Sequence, residues 1–237
     1  MRAGQGPAAG PAVFPLLNVS DWLLWQLADS AFPTGGFAHS GGSEAAWQHG
    51  ELRGRADLAS FLEASLGQLG RASLPFVGAA HRGPDRLVAL DRLCDAFTSN
   101  HVANRASRLQ GRALLATAER IFPGGPLQRL REPSHLPPCG HLAPVFGAVM
   151  GALGLDGRAT ARMFFFQHLR GLLAGAVRLG IVGPMEAQSL QHRMAPLAEE
   201  VLARCEGLSV DDIAQTSPLL DIWQGAQDRL YSRLFQS

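Results

Sequence analysis

The sequence predicts an all-α fold, a single-domain bundle of roughly eight to ten helices. Three observations carry that expectation. Ala and Leu are plentiful while one Tyr stands among few aromatics, so helix formers outweigh sheet formers. Apolar residues recur at three- and four-residue intervals in segment after segment. Pro and Gly fall between those segments, where they end one helix or open the next. With 237 residues, 46% hydrophobic and 17% charged, the chain can bury a sizeable core.

Residues 1–17 are rich in Gly, Ala and Pro, with a single Arg2 and no continuous apolar run, and read as a disordered leader rather than a signal peptide. The helical domain is expected over 18–237. It opens with the apolar run Trp22 to Ala28, followed by Asp29 to Glu44, DSAFPTGGFAHSGGSE. Phe32-Pro33 stops the helix, because Pro restricts its predecessor and lacks a backbone donor. Gly35-Gly36 and Gly41-Gly42 turn the chain, and Glu44 suits the first turn of the next helix. The loop thereby presents Phe37, His39 and Ser40. Either it carries function or it is a connector with a satisfied histidine.

Asp57 to Leu69 sets Leu58, Phe61, Leu62, Leu66 and Leu69 on one helical face, with a bend or end near Pro75. Leu87, Leu90, Leu93 and Phe97 form a second stripe after Pro84 and Asp85. In Asn100 to Ile121, Arg105, Arg108 and Arg112 share a face, which without interleaved aromatics reads as a solvated or partner-facing side with salt bridges. Five prolines and Gly124-Gly125 make 123–140 a long internal loop that should sustain no helix. Gly147 with Gly151, and Gly171 with Gly175, lie one turn apart and allow close backbone approach. Phe164, Phe165 and Phe166 cover most of a helix circumference, marking a central helix or an oligomer interface. Pro184 and Glu186 open a helix that carries Leu190, Met194, Leu197 and Val201 on its buried stripe, with a kink expected at Pro196. The terminal segment is apolar and arginine-bearing, with Leu230, Tyr231, Arg233, Leu234 and Phe235, as an anchor for another protein would be. It could equally fold back on its own core.

Composition narrows the chemistry. A formal net charge of +1 argues against a whole-molecule role on nucleic acid or anionic membrane. The chain contains no lysine, so neither the phosphate-loop pattern GxxxxGK[ST] nor a Schiff-base lysine can occur. Cys94, Cys139 and Cys205 are scattered, which fits a reducing, cytoplasmic compartment better than a disulfide framework. Met163 to Leu179, the most apolar later segment, is too polar for a membrane span. No cofactor is indicated. Two chemical alternatives stay open. Cys139 and His141, with His135, offer a thiolate and two imidazoles to a metal such as nickel or zinc, though their spacing matches no established site. Ser40 with His39 and Glu44 could form a hydrolase centre, although neighbours in sequence rarely have triad geometry.

The run Asp29-Ser30-x-Phe32-Pro33-x-Gly35-x-Phe37-x-His39-Ser40-x-Gly42-x-Glu44 resembles the N-terminal signature of the UreF family of urease accessory proteins. Leu230 to Ser237, LYSRLFQS, resembles its C-terminal signature. Between them, Asn104-Arg105-x-Ser107-x-x-Gln110-Gly111, His141-x-x-Pro144-x-x-Gly147 and Ala176-Val177-Arg178-Leu179-Gly180 are similar to internal landmarks in the same order. The resemblance implies an all-helical, dimer-forming chaperone without catalytic residues. It would bind UreD, called UreH in some organisms, and recruit the GTPase UreG, so that nickel reaches the urease apoprotein. It also implies partner contacts at Phe37 and Arg233. The sequence departs from the pattern at Ser43, where an apolar residue is usual, and at Gln227-Asp228, which replaces a frequent His-Glu.

Overall fold

A computed structural model describes residues 19–237, so the expected leader, 1–17, lies outside the described residues. Eleven α-helices and three 3-10 turns make up this region, and it contains no strand. Nine of the helices are nine residues or longer, as the periodicity predicts.

Helix α1 (Val19–Ala28) leads into the glycine-framed loop, which holds a 3-10 turn at Gly36–Ala38, and then into the short α2 (Ser43–Gln48). Helix α3 (Arg55–Ala72) buries all five residues of its expected stripe. It ends ahead of Pro75, which sits in the first turn of α4 (Leu74–Arg82), where its missing N–H would be unsatisfied anyway. A 3-10 turn at Pro84–Arg86 precedes α5 (Leu87–Phe97). Leu87 and Leu90 are buried there, but Leu93 faces outward. Helix α6 (His101–Ile121) starts under an N-cap: Asn100 Oδ1 accepts from the backbone N–H groups of Val102 and Ala103.

The proline-rich segment does contain a helix, α7 (Gly125–Arg129), contrary to expectation. Pro126 lies in its first turn, where proline is tolerated, and buried Leu127 and Leu130 pin the segment to the core. Helix α8 (Leu142–Ala152) packs against α4, α5, α6 and α9 (Gly157–Arg178). Its glycines explain the closeness: a Cβ at Gly147 would lie 2.1 Å from the Val77 carbonyl oxygen, and one at Gly151 2.9 Å from that of His81. The second pair behaves differently, since Gly171 faces open space while Gly175 meets the ring of Phe235.

Helix α9 is central, touching α1, α2, α3, α4, α8 and α10 (Pro184–Cys205). Phe164 and Phe165 are buried in it, and Phe166 is exposed. Pro196 is accommodated inside α10, whose Leu190, Met194 and Val201 are buried. Helix α11 (Pro218–Ala226) lies on α2 and α6 and is followed by a 3-10 turn, Gln227–Arg229, and an extended tail. One contiguous set of buried side chains, from Leu27 to Cys205, links the helices. No helix among the described residues is long and apolar enough to cross a membrane.

Candidate partner-binding site

The loop after α1 takes its shape from glycine. Gly35, Gly41 and Gly42 have φ of 73°, 61° and 90°, a left-handed region that other residues rarely adopt. At Gly42 there is also no room, because a Cβ would lie 3.0 Å from the backbone nitrogen of Gln224 in α11.

The chain's last residues fold back onto this loop as an added extended strip. Ser40 N–H donates to the Ser237 carbonyl (2.5 Å) and Gln236 N–H to the Ala38 carbonyl (2.8 Å). Glu44 is the centre of the junction. Its buried carboxylate accepts from the backbone N–H of Leu234 (2.6 Å), that of Phe235 (3.2 Å) and the side-chain amide of Gln227 (2.5 Å). A buried charge is tolerable only when hydrogen-bonded in this way. Gln227, one of the departures from the family pattern, is buried and also accepts from Ser40 Oγ at 3.4 Å. Ser43, the other departure from the pattern, is buried and donates its hydroxyl to the Ser40 carbonyl at 2.8 Å.

Arg178, at the end of α9, joins loop and tail from below. It donates to the Phe37 carbonyl at 2.7 Å, and its guanidinium lies 4.3 Å from the centroid of the Phe235 ring. His39 Nδ1 meets Ser237 Oγ at 2.5 Å. Burial, and secondarily the positive charge of Arg105, push the His39 pKa below its ordinary value. A neutral ring accepting the Ser237 hydroxyl fits that environment. At the rim, Asp228 receives a two-pronged contact from Arg105 (2.7 and 3.0 Å), with His101 and Arg233 each at 3.3 Å. The Arg105 fork holds the Asp228 carboxyl below the usual carboxylate range.

The expected contact residues therefore divide into two groups. Ser40, Glu44 and Phe235 are interior and hold the junction together, with half-buried His39 beside them. Phe37 (76% exposed), Tyr231 (105%), Leu234 (50%) and the rim residue Arg233 face outward, with Leu230 partly covered behind them. Leu219 and Ile222 of α11 are also exposed. The hydrolase alternative is corrected by this geometry: His39 addresses Ser237, while the Ser40 hydroxyl is buried against Gln227. Arg178 and Gln227 were not singled out as site residues from sequence. The signals were there, one being part of an internal landmark and the other a departure from the pattern.

A second polar cluster lies at the start of α8. Asp91, fully buried in α5, accepts from three successive backbone N–H groups, those of Cys139 (2.7 Å), Gly140 (3.0 Å) and His141 (2.7 Å). His141 is buried, with Nε2 3.0 Å from Asp95 Oδ1 and Nδ1 3.1 Å from Ser107 Oγ. Burial, and then the charges of Asp91 and Asp95, raise the Cys139 thiol pKa. His135 does not join Cys139 and His141 as expected. It pairs with Glu132 and Asp85 at 3.6 Å each, and Asp95 takes its place in the cluster. The prolines after His135 set the direction of the chain, so nearness in sequence is not nearness in space.

Comparison with known proteins agrees with the landmarks. The UreF family profile matches residues 52–195. Urease accessory protein F of Arabidopsis thaliana is 42% identical over 221 residues, covering 91% of this chain and 92% of the relative. That of Oryza sativa subsp. japonica is 41% identical over 220 residues, covering 90% and 84%. Urease accessory protein UreF of Mycobacterium tuberculosis (strain ATCC 25618 / H37Rv) is 32% identical over 215 residues, covering 91% and 98%. With the all-helical fold, the ordered landmarks and similarity along most of its length, the chain belongs to the UreF family of urease accessory proteins, which are non-catalytic chaperones.

Proposed function

We propose that this chain is the scaffold of urease nickel insertion: it acts as a homodimer in the cytoplasm, binds UreD/UreH through the loop–tail face and recruits the GTPase UreG, thereby serving the urease apoprotein. The observation that supports this reading is the assembly of two segments almost 200 residues apart into one face, with its interior fully hydrogen-bonded and its aromatic and arginine groups outward. Exposed Phe37 and Tyr231 beside Arg233 have the composition of a binding hot spot. The missing phosphate loop is consistent with nucleotide chemistry residing in a partner.

Co-purification with UreD and UreG, followed by light scattering, tests the reading. A complex containing two copies of this chain is the expected result. Arg233→Ala and Tyr231→Ala should each weaken UreD binding at least about tenfold, the effect of losing about 1.4 kcal/mol at a hot spot. Both should leave helix content unchanged. Unaltered binding by the two variants would remove the loop–tail face from the interface.

A further inference from the structure

Asp95 at the end of α5, Cys139 and His141 bring a carboxylate oxygen, a thiol sulfur and an imidazole nitrogen within 4.8 Å of one another. Bonds of about 2.0–2.3 Å to a tetrahedral ion set neighbouring ligand atoms about 3.3–3.8 Å apart, so approaches of at most about 1.5 Å, shared between the side chains, close such a set around an ion. We infer that these three residues form an open site for one divalent transition-metal ion of borderline softness, the class of cobalt, nickel and zinc.

Several contacts prepare the site. Asp91 fixes the backbone from Cys139 to His141, and Arg112 Nε donates to the Cys139 carbonyl at 2.9 Å. Gly111 lets that backbone lie against α6, since a Cβ there would stand 2.2 Å from the Gly140 carbonyl oxygen. Behind the ring, Ser107 Oγ accepts from Leu142 N–H and has a second lone pair for His141 Nδ1–H. Histidine ligands usually donate their second nitrogen in this way, which orients the ring. Asn104 Nδ2 donates to Asp95 Oδ1 at 2.9 Å and steadies the carboxylate. His141 forms the buried back of the site and Asp95, with its side chain 41% exposed, the solvent-facing front.

Metal uptake breaks the Nε2–H···Asp95 hydrogen bond and forms bonds from Nε2, Sγ and the carboxylate to the ion. The ring proton passes from Nε2 to Nδ1 by way of solvent, and the Cys139 thiol proton is released, so one proton leaves per ion. Three protein ligands leave the fourth position to water, as at sites that exchange or deliver their ion, whereas structural zinc sites close all four. The site does not depend on the scaffold reading, because all its residues lie within this chain.

The test is titration of the untagged full chain with Co²⁺, read by thiolate-to-cobalt charge-transfer absorption. One ion per chain is expected, with the band retained in Cys94→Ser and Cys205→Ser and lost in Cys139→Ser. Because displacing an outer-shell partner alone costs about 10–100-fold in affinity, Cys139→Ser should cost at least about 100-fold and Asp95→Ala at least about tenfold. Circular dichroism of Cys139→Ser is expected to match that of the parent. Competition by Zn²⁺ and Ni²⁺ for the same band is also expected. Uptake by Cys139→Ser equal to that of the parent, or no stoichiometric uptake at micromolar protein, overturns the site. Co-purification with the urease accessory proteins is measured separately on the same proteins, so failure of the metal site and failure of the scaffold reading are distinguishable.

Discussion

Glu44→Ala should release the tail without unfolding the bundle. The substitution leaves three N–H donors, on Leu234, Phe235 and Gln227, facing an apolar methyl group. A hydrogen bond to a charged group is worth about 1.5–3 kcal/mol, and an unsatisfied buried donor costs about 1–3. Three lost together exceed about 4 kcal/mol. Against this, the tail buries one large apolar side chain, Phe235, worth about 1.5–3 kcal/mol. Detachment of the tail, whose donors then bond to water, is therefore the lower-energy response, and the helices keep their own core. Amide hydrogen exchange reads this directly. With more than about 4 kcal/mol of docking energy removed, protection at Leu234, Phe235 and Gln236 should fall by roughly 1,000-fold, while α9 amides keep theirs. Parent-like protection of the tail in Glu44→Ala would refute the reasoning, because the carboxylate would then not be what holds it.

Two further predictions follow from the interior. Gly147→Ala drives a methyl group into the Val77 backbone, which cannot step aside as a flexible side chain would; denaturant unfolding should show a loss of more than about 3 kcal/mol, and a change below 1 would mean that α4 and α8 separate easily. His168, part-buried beside Ser65, has its pKa depressed by burial to about 4 from 6.5, so the unfolded chain binds more protons between those values and stability falls as pH drops through that window. At about 1.4 kcal/mol per pH unit, the loss from pH 6.5 to 4 is about 3 kcal/mol, and unfolding measured across this range should be markedly flatter for His168→Gln.

What could be read in the sequence was what repeats locally. Leu58, Phe61, Leu62, Leu66 and Leu69 recur with the helical period, and all are buried in α3. Gly147 and Gly151 announced a close approach by their spacing alone. The same rule misplaced Leu93 and Gly171, because periodicity tells which residues share a face but not whether a neighbour covers it. Loop and tail could each be flagged for their unusual composition, but not joined. Their bonds run between residues 183–198 positions apart and leave no periodic trace. In the second cluster, Asp95 went unnoticed for a similar reason. It comes from α5, and only the packing of α8 against α5 and α6 brings His141 to it.

The junction of loop and tail also has a consequence in time. Ribosomes make Glu44 long before they make Leu234, Phe235 and Ser237, and until those residues emerge the carboxylate must remain hydrated and the loop unclosed. A nascent or prematurely ended chain can build most of its helical core and still lack this face. Docking competence therefore arrives later in synthesis than the helical core, so that any partner reading the face would pass over chains that stop short of Leu234 and Phe235.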